Sequence, residues 1–538
     1  MQRTGLADLD AVVVGAGFAG LYALHRLRSQ GLAVRVFEAA PGVGGTWYYN
    51  RYPGARCDVE SVDYSYSFSE ELQQQWNWTE RYATQPEILE YLNWVTDTLD
   101  LRRDITFGTR VTSAVLDEDT LRWTVSTDSG EVVSARFAIM ATGALSAAIT
   151  PDFAGLDSFS GDVFHTAHWP HQGVDLTGRR VAVIGTGSSG IQSIPLIAEQ
   201  AAQLYVFQRT PNYSVPAGNR PLTADELAEV KANYAERRRI SFRSGGGSPY
   251  VGTTTPTLQV PPQERRMAFE RRWQLGGVLF SKTFPDQMTD LAANDEARKF
   301  WEDKIRAVID DPAVAELLIP DDHPIGAKRI CTDSQYFQTF NRPNVELVSV
   351  RRTPIESIDA TGISTTAAHY DVDAIVFATG FDALTGSLGK ISIIGRGGRA
   401  LSEDWAHGPR TYLGLGCDGF PNLFMITGPG SPAVLANMVL GAEAHVDWIA
   451  EAIGYLDENG YAALEATPDA VERWLAELSQ RVETTLFTKA NSWYLGANVP
   501  GKPRVFMLFC GGFGVYNDIC ADVAASGYKG FELLAPQG

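Results

Sequence analysis

The sequence has few cysteines, and none of them form a recognisable set. Its five (Cys57, Cys331, Cys417, Cys510 and Cys520) are scattered, odd in number and form no CxxC pair. Neither a zinc knuckle nor a dithiol redox couple can be read from them; reduced thiols in a cytoplasmic protein are the expectation. Positive charge is also short. Against 64 Asp and Glu stand 45 Lys and Arg, a net charge of −19, which argues against nucleic acid or an anionic membrane face as partner. No apolar run reaches the roughly 18 residues that suggest a membrane span. The early stretch AVVVGAG is broken by glycine and has no basic flank or cleavage site, so secretion is not expected.

What the chain has is length and well-placed glycine. At 538 residues it exceeds one compact core, and two or three domains are expected. Ala11 to Val14 is a short apolar run ending in Gly15, followed by Gly17 and Gly20 and an apolar helical pattern from Leu21. Strand, tight turn and helix in that order form a dinucleotide fingerprint. The glycines serve the turn, the close approach of backbone to a pyrophosphate, and the packing of helix on strand; Phe18 and Ala19 lie at the helix N-terminus that would face the phosphates. A second strand, Val34 to Phe37, ends in Glu38, at the fingerprint's spacing of about 20 residues. A carboxylate there accepts from both ribose hydroxyls and repels a 2′-phosphate, which suits the adenosine half of FAD or NAD. Gly44, Gly45, Thr46 and Trp47 follow so soon that the chain is expected to pass the long cofactor twice, which favours a flavin. Next come Arg51 to Asp58, where Arg56 and Asp58 could be no more than an exposed ion pair.

A second fingerprint begins with Val181 to Ile184 and turns through Gly185, Thr186, Gly187, Ser188, Ser189 and Gly190, with Ile191 and Gln192 opening the helix. Its second strand, Leu204 to Phe207, ends in Gln208, Arg209 and Thr210. An arginine without a carboxylate is what a ribose 2′-phosphate requires, so this site favours NADPH over NADH. Val111 to Val115 and Arg122 to Thr127 read as antiparallel strands, and Arg136 to Met140 as a buried one leading into Ala141-Thr142-Gly143. The same ending recurs at Ala378-Thr379-Gly380. The chain is therefore expected to leave the first nucleotide domain near Gly143 and to re-enter it after Gly380.

The fold class is α/β, with two Rossmann-like dinucleotide-binding domains and a helical insertion in the second. The expected division is 1–143 and 381–538 for the first domain, 144–220 and 323–380 for the second, and 221–322 for the insertion. Within the insertion, Thr223-Ala224-Asp225-Glu226 is a capping box opening a helix to about Ile240, and Asn294 to Asp310 is another helix. Ser244 to Pro249 has the composition of a flexible, mobile linker, without chemistry. Lys328-Arg329 precedes an apolar segment, which favours a phosphate or active-site role over an exposed pair.

Between the two turns lies Phe159 to Pro170, FSGDVFHTAHWP. It fits the pattern FxGxxxHxxxW[P/D] at Phe159, Gly161, His165, Trp169 and Pro170, and a second pattern is matched by Gly45, Trp47, Tyr52, Pro53, Gly54 and Asp58. With the two glycine turns, these residues resemble the type I Baeyer–Villiger monooxygenases from about Ala11 onward. Within that family the likeness is nearest to the phenylacetone and steroid enzymes, through Ser431 to Val439 and Asn491 to Met507. The resemblance implies an enzyme that uses NADPH, FAD and O2 to convert a ketone to an ester or lactone, through a C4a-peroxyflavin and a Criegee intermediate. It implies Arg329 as the active-site arginine and Asp58 as the carboxylate that holds it. It further implies Tyr64, Val111 and Met438 at the FAD, with Arg56, Arg209, Lys328 and a loop-borne Trp493 at the NADP. His165 becomes a conformational link between domains in place of a catalytic base. Bulky ketones, aryl or steroid methyl ketones, are the expected substrates, in a pocket formed by Gly428 to Met438, the Trp493 loop and the surroundings of Arg329. Gln335 and Pro343 depart from the pattern and are expected to shift its wall. Oligomeric state is not readable, with a monomer slightly favoured. The rival readings are a flavin-containing N- or S-monooxygenase and a non-catalytic flavin-binding redox sensor.

Overall fold

The computed structural model describes residues 7–250 and 252–536. Strand Ala7–Val14 is completely buried over its second half and lies in the middle of an eight-stranded sheet, parallel to Val34–Phe37 on one side and Val132–Met140 on the other. Val111–Asp117 and Arg122–Thr127 extend this sheet as an antiparallel pair. Two of its strands come from far along the chain: Ser392–Ile394 on Val111–Asp117, and Leu423–Met425 on Val132–Met140. The first and last parts of the sequence thus build one sheet. A second, five-stranded sheet is wholly parallel, in the order Val345–Ser349, Gln203–Gln208, Arg180–Ile184, Ala374–Phe377, Asp162–His165.

The two connections between these sheets run side by side. After Gly143 the outgoing segment is hydrogen-bonded to the returning one, with Ile149 N–H donating to Gly380 O (3.0 Å), Asp382 N–H to Ala147 O (2.8 Å) and Leu384 N–H to Ala144 O (2.9 Å). The stretch Phe159 to Pro170 supplies the edge strand Asp162–His165, and Trp169 is buried against Phe164.

The insertion departs from the expectation in three ways. The capping box exists, with Glu226 N–H donating to Thr223 Oγ1 (3.2 Å) and Thr223 N–H to Glu226 Oε2 (2.9 Å). Its helix, however, breaks at Asn233 into Ala224–Ala232 and Tyr234–Arg243. The second piece turns so that Arg238 buries its guanidinium among the carbonyls of Val62, Asp63 and Ser65, a demand that local composition does not reveal. The other helix runs Leu291–Val308, capped by Asp290, and so begins and ends earlier than the expected Asn294 to Asp310. The glycine-rich loop is not a free linker either. Its carbonyls at Ser244, Gly245 and Gly246 accept from Gly514, Phe513 and Asn437 N–H groups at 3.0 to 3.1 Å, which pins the loop to the C-terminal part of the chain. No helix among the described residues is long and apolar enough to cross a membrane.

Candidate active site

The two glycine turns share one construction. Gly15 has φ +106°, and a Cβ there would lie 2.7 Å from Ala141 O; Gly185 has φ +113°, and a Cβ would lie 2.4 Å from Ala378 O. Gly20 and Gly190 pack on the carbonyls of Gly15 and Gly185 so tightly that a Cβ would fall 1.8 Å and 2.2 Å away. The middle glycines differ. At Gly187 a Cβ would meet nothing within 4 Å, and at Gly17 only Gly44 and Gly45, no nearer than 3.5 Å. The protein does not demand glycine at these positions, whereas a close-lying pyrophosphate does. Helices Phe18–Ser29 and Ser188–Gln200 start there with no side-chain cap and no acid in the first turn. Their first N–H groups are open to an anion. Both turns therefore fit a dinucleotide.

Glu38 ends its strand buried, its carboxylate accepting from Ala16 N–H and Ala40 N–H at 2.7 Å each. Burial raises its pKa, against these two bonds. Gly45 backs onto Gly17, so the chain does return past the first turn before helix Thr46–Tyr49, and Trp47 Nε1 donates to the Tyr64 hydroxyl at 3.1 Å. Val111 opens its strand and Met438 opens helix Met438–Asn459.

Arg329 and Asp58, 271 residues apart, meet in a bidentate pair: Nε donates to Oδ2 at 2.9 Å and Nη2 to Oδ1 at 2.7 Å. The remaining guanidinium nitrogen, Nη1, donates to Val434 O at 2.7 Å. Burial works against the Arg329 charge, but Asp58, with Tyr494 and Cys331 beside it, more than offsets it, and the pKa is raised. The arginine is thus a fixed, permanent cation. It retains 29% of its side-chain surface, so it faces open space as well as its partners.

At the end of strand Gln203–Gln208, Arg209 is exposed and Lys328 lies near enough to feel its charge; burial, and then Arg209 and Arg351, push the lysine pKa down against Asp322. Arg351 is neutralised by Asp321 and Asp322, while Arg209 and Lys328 form no ion pair among the described residues. Two unmatched cations beside the second turn fit a 2′-phosphate. Thr186 donates to Thr210 O (3.0 Å), Ser188 Oγ lies 3.1 Å from Cys331 Sγ, and Ser189 accepts from Thr166 (3.3 Å). Gln192 joins helix Ser188–Gln200 to the loop of residues 51–58, accepting from Tyr52 OH at 2.8 Å and donating to Arg56 O at 3.2 Å.

One expectation fails here. The Arg56 guanidinium pairs with Glu80 at 3.0 Å, not with Asp58, and donates to Tyr82 O; its charge is already matched, and only its backbone reaches toward the second turn. Gln335 and Pro343 are exposed, and Gln335 sits at φ +68° ahead of the turn Tyr336–Thr339.

His165 makes contacts to both connections. Its Nε2 lies 3.1 Å from Ile149 O and 3.3 Å from Thr379 Oγ1, and Nδ1 accepts from Ala167 N–H at 3.0 Å. Because Nδ1 is an acceptor, the proton sits on Nε2. Burial lowers its pKa. Neither nitrogen is free to act as a base.

Trp493 opens the short turn Trp493–Leu495, partly buried against Tyr494. Tyr494 is buried with its hydroxyl against Arg329; burial raises its pKa to about 12, against the arginine. The segment is held by Met507 N–H to Tyr494 O (3.1 Å), Asn498 Nδ2 to Phe381 O (2.8 Å) and the Lys502–Asp382 pair. Ala433, Val434, Tyr494 and Leu508 form one apolar cluster, with Met438 and Trp493 on its edge. The anticipated pocket segments do converge on Arg329. Sequence reasoning missed Tyr494, whose only signal is adjacency to Trp493, and the Val434 carbonyl, which no side-chain pattern can disclose.

The fold thus carries two turns that fit dinucleotides and, between them, an arginine clamped by a carboxylate. A family model described as "NAD(P)-binding Rossmann-like domain" matches residues 13–75, and one for L-lysine 6-monooxygenase/L-ornithine 5-monooxygenase matches residues 63–235. A solved structure of oxidized steroid monooxygenase bound to NADP is 68% identical, with TM-score 0.95, over 98% of this chain and all of that one (100%). A structure of OTEMO complex with FAD and NADP is 41% identical, with TM-score 0.95, over 98% of this chain and 99% of that one. Acetone monooxygenase (methyl acetate-forming) from Gordonia sp. is 43% identical over 98% of this chain and 99% of its own length. The chain belongs to the Baeyer–Villiger monooxygenases.

Proposed function

We propose that this protein binds FAD and NADPH and inserts one oxygen atom of O2 beside the carbonyl of a bulky ketone, an aryl or steroid methyl ketone, to give an ester. Residues 1–143 and 381–538 are assigned to FAD, and 144–220 with 323–380 to NADP. The observation that carries the chemistry is the Asp58–Arg329 clamp. When bound, FAD supplies oxygen activation after hydride transfer from NADPH. The chain's own part is electrostatic and steric. Arg329, always protonated and held by Asp58 and Val434 O, stabilises negative charge that develops on oxygen near its open face. Arg209 and Lys328 bind the 2′-phosphate, Glu38 the flavin's adenosine ribose, and the Trp493 turn excludes water. Identity of 68% to the steroid enzyme structure, against 43% to the acetone enzyme, supports the bulky substrate. The five cysteines are all free, which fits a cytoplasmic protein, and a monomer is the working assignment.

The test is incubation of the purified protein with NADPH, O2 and aryl, cyclic and steroid ketones, with product mass as readout. Ester or lactone from the bulky ketones is expected; NADPH consumption without oxygen in any organic product would end the proposal. The match to the lysine/ornithine monooxygenase model over 63–235 favours one alternative, amine oxygenation. An N-oxide from an amine, with no ester from any ketone, would select it.

A further inference from the structure

The insertion contributes a side chain that no part of the reaction above uses. Lys282 ends the short turn Val278–Lys282, and its ammonium lies against the glycine-rich loop, where a Cβ on Gly246 would come within 2.7 Å of Nζ. The loop is itself fixed, since Gly246 O accepts from Asn437 N–H at 3.0 Å at the start of helix Met438–Asn459. Lys282 keeps its solvent-accessible surface although protein surrounds it densely, and it is close enough to Arg329 to feel that charge. Arg329 shows the same combination of dense surroundings and open surface. The two cations are anchored to one segment, Lys282 through Gly246 to Asn437 and Arg329 to Val434 O, three residues earlier.

Their electrostatics differ. Arg329 is matched by Asp58, but the Lys282 ammonium has no hydrogen bond and no ion pair among the described residues, the residue's one side-chain contact of that kind being Tyr250 OH to its backbone carbonyl. Burial, and then the Arg329 charge, lower its pKa. An unmatched ammonium in a partly desolvated cleft is costly unless a ligand supplies the opposite charge. Gly246, with no side chain, leaves the room that the ammonium itself occupies.

We infer that Lys282 is a specificity-determining residue, and that the favoured substrates are ketones carrying a carboxylate or comparable anionic oxygen, which Lys282 binds while the carbonyl lies at Arg329. This inference rests on the ketone-oxidising reading and narrows its substrate class. It assigns Lys282 a place in substrate choice and none in the oxygen transfer.

The experiment uses the FAD-loaded full chain and its K282M and K282R variants, with 4-acetylbenzoate and its neutral counterpart 4-methylacetophenone. Two readouts are taken: kcat/KM for each ketone, and Kd for 4-acetylbenzoate from the flavin absorbance change. K282M is expected to lower the acid-to-neutral ratio of kcat/KM and to raise Kd, each by about tenfold or more, whereas K282R retains both. An unchanged ratio and Kd in K282M would overturn the inference, as would a rise in KM for NADPH with both ketones slowed equally, which would place the ammonium on the dinucleotide. Absence of any ester from wild type, with Lys282-dependent binding of 4-acetylbenzoate retained, would sink the ketone-oxidising reading and leave the anion site standing.

Discussion

The Asp58 carboxylate accepts from two nitrogens of Arg329, at 2.9 and 2.7 Å, across 271 residues of sequence. The pair joins the loop after the first glycine turn to the segment leading into strand Cys331–Asp333. With Val434 O on the third nitrogen, every guanidinium nitrogen has a protein partner. The arginine is fixed in orientation, while part of its side-chain surface stays accessible.

Arg329→Lys keeps the charge and loses the fork, since an ammonium cannot make the paired bonds to Asp58 and also reach Val434 O. Ester formation is expected to fall by about 100-fold or more, the scale for removing an oxyanion-stabilising donor, with FAD still bound. Rapid-mixing measurement of flavin reduction beside ester yield checks this. Near-normal ester yield in Arg329→Lys would show that charge alone suffices.

Arg209→Ala separates the two nicotinamide cofactors. Charge-assisted bonds to a phosphate contribute roughly 1.5 to 3 kcal/mol, so KM for NADPH should rise by about 10- to 100-fold, while KM for NADH stays as in wild type. Steady-state kinetics with both cofactors decide it. Equal changes for the two would place Arg209 away from the 2′-phosphate.

How much of this was legible in the sequence follows from the kind of signal each feature leaves. The two turns were readable because Gly15, Gly20, Gly185 and Gly190 answer steric demands made within a few residues or by a recurring strand end. Strands Val34–Phe37 and Arg122–Thr127 fall where alternation and apolar runs put them. The break at Asn233 and the pinned loop at Gly245 were not readable, because Arg238 bonding to Val62 O and Phe513 N–H bonding to Gly245 O are made by partners more than 170 residues away. Arg56 misled for the same reason: its neighbour in sequence is Asp58, but its neighbour in space is Glu80.

His165 links Ile149 and Thr379, one on each connection between the sheets. Replacing it with alanine removes both contacts and leaves Ala167 N–H without its acceptor. Turnover is expected to fall several-fold by loosened coupling of the two sheets, with faster hydrogen exchange at 147–150 and 378–382. His165→Gln, which can still donate to Ile149 O, should recover part of the loss. Full NADPH oxidation and ketone conversion in His165→Ala would refute the linking role.

Two groups on helix Met438–Asn459 oppose each other in acid. His445 is buried between Thr427 N–H and Tyr516 OH, and burial lowers its pKa to about 4 from 6.5. Below pH 6.5 the unfolded chain takes up a proton that the folded one refuses, so this stability is present above 6.5 and is lost as pH falls toward 4. Glu443 accepts from Ser67 and Phe68 N–H groups, yet burial raises its pKa to about 7 from 4.5. Its burial penalty is present above 7 and disappears as pH falls toward 4.5. Each contributes on the order of 2 kcal/mol between pH 7 and 5, with opposite sign. Denaturant titrations should show His445→Phe gaining relative stability on acidification and Glu443→Gln losing it. Parallel pH profiles for both variants and wild type would contradict the assignment.

Tyr494 ties the turn Trp493–Leu495 to Arg329, because its hydroxyl lies against Arg329 while its carbonyl accepts from Met507 N–H. Tyr494→Phe keeps the ring packing on Phe487 and Phe506 and removes only the polar contact. If that contact registers the arginine with the closed turn, NADPH oxidation should proceed at nearly the wild-type rate. Ester per NADPH should drop several-fold, with hydrogen peroxide making up the difference, since a loosened arginine favours loss of oxygen over its transfer. Trp493→Ala, which opens the turn without touching Arg329, should instead raise KM for NADPH. An unchanged ester-to-NADPH ratio in Tyr494→Phe would reduce Tyr494 to a packing residue, and leave Asp58 and Val434 O as the groups that position Arg329.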